Sequence, residues 1–161
     1  MSLPNTFSPN TKIESAKVNA NFNALVSSYS PTAANEDTTE RSTTSGTFVD
    51  HPWGGISVTT TVSGLIVVSM NGLFGTSTAN GGHVRIKTPT GATKLAGGVN
   101  YGESDAYTTI GGSSNVAKNT GIVSLFTAPA GSYTFKLEWR GVSGNTVYSK
   151  DVSMFALSFV Q

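Results

Sequence analysis

A chain of 161 residues has the size of one domain and is long enough to bury a proper core. Ten Lys/Arg against nine Asp/Glu leave a net charge of +1 with 12% of residues charged, and no basic run occurs, which argues against nucleic acid as a partner. Cysteine is absent, which excludes a disulfide-stapled scaffold and a thiol nucleophile, and polarity is carried instead by Ser, Thr, Asn and 18 Gly.

The first expected element is a short helix. Thr11 with Glu14 three residues later fits a capping box, and Val18, Phe22, Leu25 and Tyr29 follow at steps of four, three and four, the a/d seam of two heptads. Isolated helices shorter than roughly 12–15 residues are marginal in water, so this one is expected to form by packing on copies of itself or on a docking partner. Asn19, Asn21 and Asn23 lie inside it although Asn is a poor helix-interior residue. Residues 1–30 are therefore read as an attachment or oligomerisation segment, with Val18, Asn19, Phe22, Leu25 and Tyr29 as its contact residues.

Residues 31–46 carry Pro31, Asn35-Glu36-Asp37 and a run of Ser/Thr with almost no apolar side chain, and are expected to form an extended linker or strand lead-in. Glu36, Asp37, Glu40 and Arg41 are read as a solvated hinge, because perturbed carboxylates belong in clefts.

Residues 47–161 form the expected body, a succession of strands broken by glycine turns. Ile56, Val58, Thr60 and Val62 alternate with Ser57, Thr59, Thr61 and Ser63. His83-Val84-Arg85-Ile86-Lys87 alternates again, and Tyr133, Phe135, Leu137 and Trp139 oppose Thr134, Lys136, Glu138 and Arg140. Pro129 sets the entry into that last strand, Gly131 supplies permissive dihedrals, and Tyr133 and Phe135 are expected in the core. The chain is thus expected to be mainly β, a short helix followed by an antiparallel jelly-roll sandwich.

Two strands break the alternation. From Leu65 to Phe74, and again from Val152 to Val160, apolar residues occupy both faces. A sandwich strand has one face toward the core and one toward water, so a second apolar face implies a cover. Without helices in the body, another subunit is the natural cover, and Met154, Phe155, Leu157 and Phe159 are expected at a trimer interface.

Catalytic equipment is nearly missing. A serine elbow, a P-loop and a His-Glu-x-x-His helix are all lacking, so the expectation is a non-enzyme without cofactor. His51 and His83 are isolated and read as turn or surface residues, with no metal site. A secretion signal and a long apolar stretch are also missing, so no membrane insertion is expected. Binding is the better reading: Gly97 to Asn119 is rich in Gly, Ser, Thr and Asn, with Tyr101 and Tyr107 to stack on a sugar face and Glu103 and Asp105 to accept its hydroxyls. Trp53, beside Pro52 and Gly54-Gly55, is expected to be a buried lid.

Two resemblances add to this. Pro4-Asn5-Thr6-Phe7-Ser8-Pro9, then Ile13, Ser15-Ala16 and Val18-Asn19-Ala20-Asn21-Phe22-Asn23-Ala24-Leu25, resemble the N-terminal attachment motif of tailed-bacteriophage virion appendage proteins. Ala128 to Arg140, followed by the apolar final strand, resembles the end of trimeric jelly rolls of the tumour-necrosis-factor/C1q type. Together they imply a homotrimer assembled in the host cytoplasm and docked to other virion proteins by its N-terminus. The implied role is a short tail fibre or receptor-binding appendage touching host surface polysaccharide. A head decoration or head-fibre protein is one alternative, and a free carbohydrate-binding module is another of a different class.

Overall fold

The computed structural model of the chain describes residues 5–6, 14–27, 33–78, 81–96, 108–110 and 118–160. Its helix, α1 (Ser15–Ser27), starts where the Glu14 carbonyl accepts the Lys17 and Val18 amides at 3.0 and 3.2 Å. Thr11 of the capping box and Tyr29 of the seam lie outside the described residues. Asn21 accounts for one of the helix's anomalous asparagines. Its Oδ1 accepts the Asn5 backbone amide at 3.1 Å while its Nδ2 donates to the Asn5 carbonyl at 3.0 Å, so the side-chain amide pairs with the Asn5 backbone as a neighbouring strand would.

The body is built from strands whose alternate residues face a shared core. β1 (Ala33–Asp37), β2 (Arg41–Thr43), β5 (Gly64–Thr76), β7 (Thr93–Ala96), β9 (Lys118–Ala128) and β12 (Val147–Val160) form one sheet, ordered β1-β12-β5-β9-β7 with β2 also on β12. The opposite layer has β3 (Val49–Asp50), β11 (Leu137–Gly141), β6 (Gly82–Ile86) and β8 (Thr108–Ile110) in the order β3-β11-β6-β8, and β10 (Gly131–Phe135) paired with β4 (Ile56–Thr60). Every pairing is antiparallel. Strands adjacent in a sheet are mostly distant in sequence, as the crossing connections of a jelly roll require.

Ile66, Val68, Met70 and Phe74 of β5, Phe126 of β9, and Val152, Met154 and Ala156 of β12 fill the core from the first sheet. From the second come Val58, Val84, Ile86, Phe135, Leu137 and Trp139, and Phe126 meets Phe135 with ring centroids 4.8 Å apart. Tyr133 and Phe135 enter the core as expected, and the Tyr133 hydroxyl donates to the Pro129 carbonyl at 2.9 Å across the turn. Trp53 is buried, as its lid reading required.

Two expectations are corrected, and the lead-in reading of residues 31–46 becomes specific. Residues 31–46 carry β1 and β2, both hydrogen-bonded to β12, because a sheet edge is held by its backbone and does not need apolar side chains on both faces. Asp37 is buried and ion-paired with Arg41 Nε at 3.1 Å, so that part of the segment is no solvated hinge. The alternation that seemed to run to Val62 stops at Thr60, and Val62 is exposed at the turn into β5.

Candidate functional site

The two sheets turn very different outer faces away from the core. On the second sheet, Ser57 meets Thr134 and Thr59 meets Ser132 through hydroxyl pairs of 2.9 and 2.8 Å. An ion-pair ladder follows: Arg85 to Glu138 at 2.7 Å, Lys87 to Glu138 at 3.0 Å and to Asp50 at 2.9 Å, and Lys136 to Asp50 at 3.0 Å. Hydrogen bonds from Lys87 and then Lys136 hold the Asp50 carboxyl below the usual carboxylate range, and Asp50 and Glu138 hold Lys87 above its usual value. Beyond the ladder, Phe48 lies between the guanidinium groups of Arg85 and Arg140, 4.0 and 4.6 Å from its ring centroid. Arg140 Nε donates to His83 Nδ1 at 3.0 Å. This face is polar, each of its two carboxylates bridged to two cations, and it suits water.

The first sheet has the opposite character over half its outer face. The register places Phe159 beside Leu65, Val67 between Leu157 and Leu125, and Ser69 between Phe155 and Val123. Val123 is 60% exposed and Phe155 44%, while Leu65, Val67, Leu125, Leu157 and Phe159 are half-buried. Seven apolar side chains on three strands form one contiguous patch, well beyond the scattered apolar residues of an ordinary surface.

The expected interface set divides at this point. Phe155, Leu157 and Phe159 belong to the patch, whereas Met154 occupies the alternate row and is 2% exposed in the core. Met154 is therefore removed from the outer set, because successive residues of a strand point to opposite faces. Val123 and Leu125 were missed. Their alternation with Ile122 and Phe126 is visible in the chain, but only the pairing of β9 with β5 brings them into the same cross-strand rows as Phe155 and Leu157.

A row of small polar residues, Ser153, Asn71 and Gly121, ends the patch. Beyond it a bulge at Asp151, whose φ is 51°, sets two residues of β12 against Gly72, where Val152 packs so closely that a side chain would crowd it. Past the bulge the same outer face forms a groove of about 340 Å³ lined by Glu40, Leu73, Gly75, Thr76, Tyr148 and Lys150. Tyr148 pairs with Gly75 on β5 and with Ser42 on β2, so its ring, 37% exposed, stands beside a position without a side chain.

On α1, Val18 is half-buried and Phe22 is 61% exposed, while Asn19 faces solvent. The side chain of Leu25, together with Tyr101, Glu103, Asp105 and Tyr107, lies outside the described residues. His51 departs from its surface reading: it is 2% exposed, with Nε2 2.8 Å from Ser149 Oγ and Nδ1 accepting the Trp53 amide at 3.2 Å. Among the described residues no three His, Asp or Glu side chains gather closely enough to hold a metal ion, and no helix is long and apolar enough to cross a membrane.

No family model matches the chain, and no curated protein matches it. Among solved structures it is similar to PRD1 vertex protein P5, at 14% identity over 81% of this chain and 99% of that one, with a TM-score of 0.48. It is also similar to the tripod (BppUct-A-L) from the baseplate of bacteriophage Tuc2009, at 17% identity over 96% of this chain and 99% of that one, with a TM-score of 0.37. Both likenesses are remote, and no residue role passes from either to this chain.

Proposed function

We propose that the chain is a structural subunit of a bacteriophage virion: a homotrimeric appendage whose N-terminal segment docks to other virion proteins and whose β body projects toward the host surface. The observation that carries the proposal is the contrast between the two outer faces. A sandwich with one ion-paired polar face and one patch built on Phe155, Leu157, Phe159 and Val123 is made to bury the second face. Copies of the same chain suit it because the patch lacks charge and lies on central strands whose edges are already paired. The resemblance of the last forty residues to trimeric jelly rolls selects three copies.

The docking half of the proposal rests on α1. Phe22 is exposed on a helix too short to be stable in water alone, in a segment that resembles a virion attachment motif. No covalent chemistry is called for. Many trimers on one particle would convert modest affinity for surface polysaccharide into firm attachment through effective concentration.

Gold-labelled antibody against the chain, applied to intact particles of the phage that encodes it, tests this reading. Label at the tail supports the attachment role. Label over the head replaces it with a decoration role in which α1 clamps the capsid. Unlabelled particles would overturn the virion assignment.

A further inference from the structure

In the groove beyond the bulge, polar side chains stand without partners among the described residues. On the opposite sheet, Asp50, Glu138, Lys87, Lys136 and Arg85 are all engaged in ion pairs with one another. In the groove, the side chains of Glu40, Tyr148 and Lys150 make no hydrogen bond or ion pair with any described residue. The pairing of Arg41 with Ser149 puts Glu40 one step along from Lys150, and Lys150 pairs in turn with Leu73, so a carboxylate, an ammonium and an apolar floor occupy one cross-strand row. The next outward row holds Tyr148 over the gap left by Gly75.

We infer that this groove is a saccharide-binding site for a neutral pyranose of a surface polysaccharide. Resting on the attachment role proposed above, this assigns that role to the described surface rather than to residues 97–119. The exposed Tyr148 ring offers a flat apolar face with a hydroxyl at its tip, which suits the C–H face of a sugar ring. Glu40 accepts ring hydroxyls and Lys150 donates to them, and their opposite charges leave the rim neutral, so neither an anionic nor a cationic ligand is favoured. A volume of about 340 Å³ falls in the range of small-molecule sites, roughly 300–1,000 Å³. The row of Ser153, Asn71 and Gly121 separates the groove from the apolar patch.

The test is saturation-transfer NMR and calorimetry on the full chain with methyl glucoside, methyl galactoside, cellobiose and di-N-acetylchitobiose, and with glucuronate as the anionic control. At least one neutral saccharide should bind in the millimolar range. Tyr148→Ala should weaken that binding tenfold or more, Tyr148→Phe should keep most of it, and Glu40→Gln should weaken it several-fold. Lys87→Met, on the opposite sheet, should leave it unchanged. Melting curves of each variant separate lost contact from lost fold. Binding that survives Tyr148→Ala, preference for glucuronate, or no binding across the panel would each overturn the site while leaving the virion assignment standing. Unlabelled virions with saccharide binding that depends on Tyr148 would have the reverse meaning.

Discussion

His51 and Ser149 are 98 positions apart in the chain, yet His51 Nε2 lies 2.8 Å from Ser149 Oγ inside the sandwich. Because Nδ1 accepts the Trp53 amide, the ring proton resides on Nε2, which donates to the serine, and the imidazole packs on Trp139 with centroids 4.4 Å apart. Burial lowers its pKa to about 4, with Asp37 opposing and Arg41 reinforcing the shift.

A pH dependence follows from that contact. His51 is neutral in the fold and titrates near 6.5 once unfolded, so the unfolded chain binds more protons between these values. Stability should be full above pH 6.5, fall as pH drops toward 4, and lose about 3 kcal/mol over that window. Urea unfolding at pH 7, 5.5 and 4 measures it. His51→Gln should flatten the profile, and a wild-type profile already flat would refute the assignment. Hydrogen bonds from Arg41 and Thr39 outweigh burial and hold the Asp37 carboxyl low, so its contribution is lost only at still lower pH, as the carboxylate protonates.

Gly55 and Gly54 should respond oppositely to alanine. Gly55 has φ of 79°, and a Cβ there would collide with the Phe135 carbonyl just before β4 begins, whereas Gly54 has open space around it. Gly55→Ala should cost at least about 2 kcal/mol and Gly54→Ala close to nothing. Thermal denaturation of the two variants side by side distinguishes them.

Neighbouring residues of β12 should likewise part company. Met154→Ala removes a core side chain and should destabilise by about 2–5 kcal/mol. Phe155→Asp, on the outer row, should leave the melting of the isolated subunit nearly unchanged while abolishing self-association. Calorimetry combined with light scattering reads both quantities.

In the attachment segment, Phe22→Asp should stop incorporation into particles with the β body's unfolding unchanged. Asn21→Ala should also impair incorporation, less severely, since it releases the lead at Asn5 while leaving Phe22 in place. Quantifying the chain in purified particles by mass spectrometry checks the pair.

Strands with one wet and one dry face were legible in the chain, since Tyr133 to Trp139 and the β6 residues carry their alternation in the side chains themselves. The doubly apolar character of β5 and β12 was legible too. Register was not, and it decides both sites: Val123 and Leu125 join the patch, and Glu40 joins Tyr148 and Lys150, through pairings between distant strands. β1 and β2 were legible only as a linker or strand lead-in, because polar side chains conceal strands held by backbone bonds. His51 looked like a surface residue because the serine that satisfies it lies at the far end of the chain.

The most direct measurement is the mass of the full chain in solution by sedimentation equilibrium, across a hundredfold range of concentration. Burial of the Phe155, Leu157 and Phe159 patch between copies predicts three times the subunit mass of 16.7 kDa, reverting to a single subunit in Phe155→Asp. A wild-type mass of 16.7 kDa at every concentration would contradict the account.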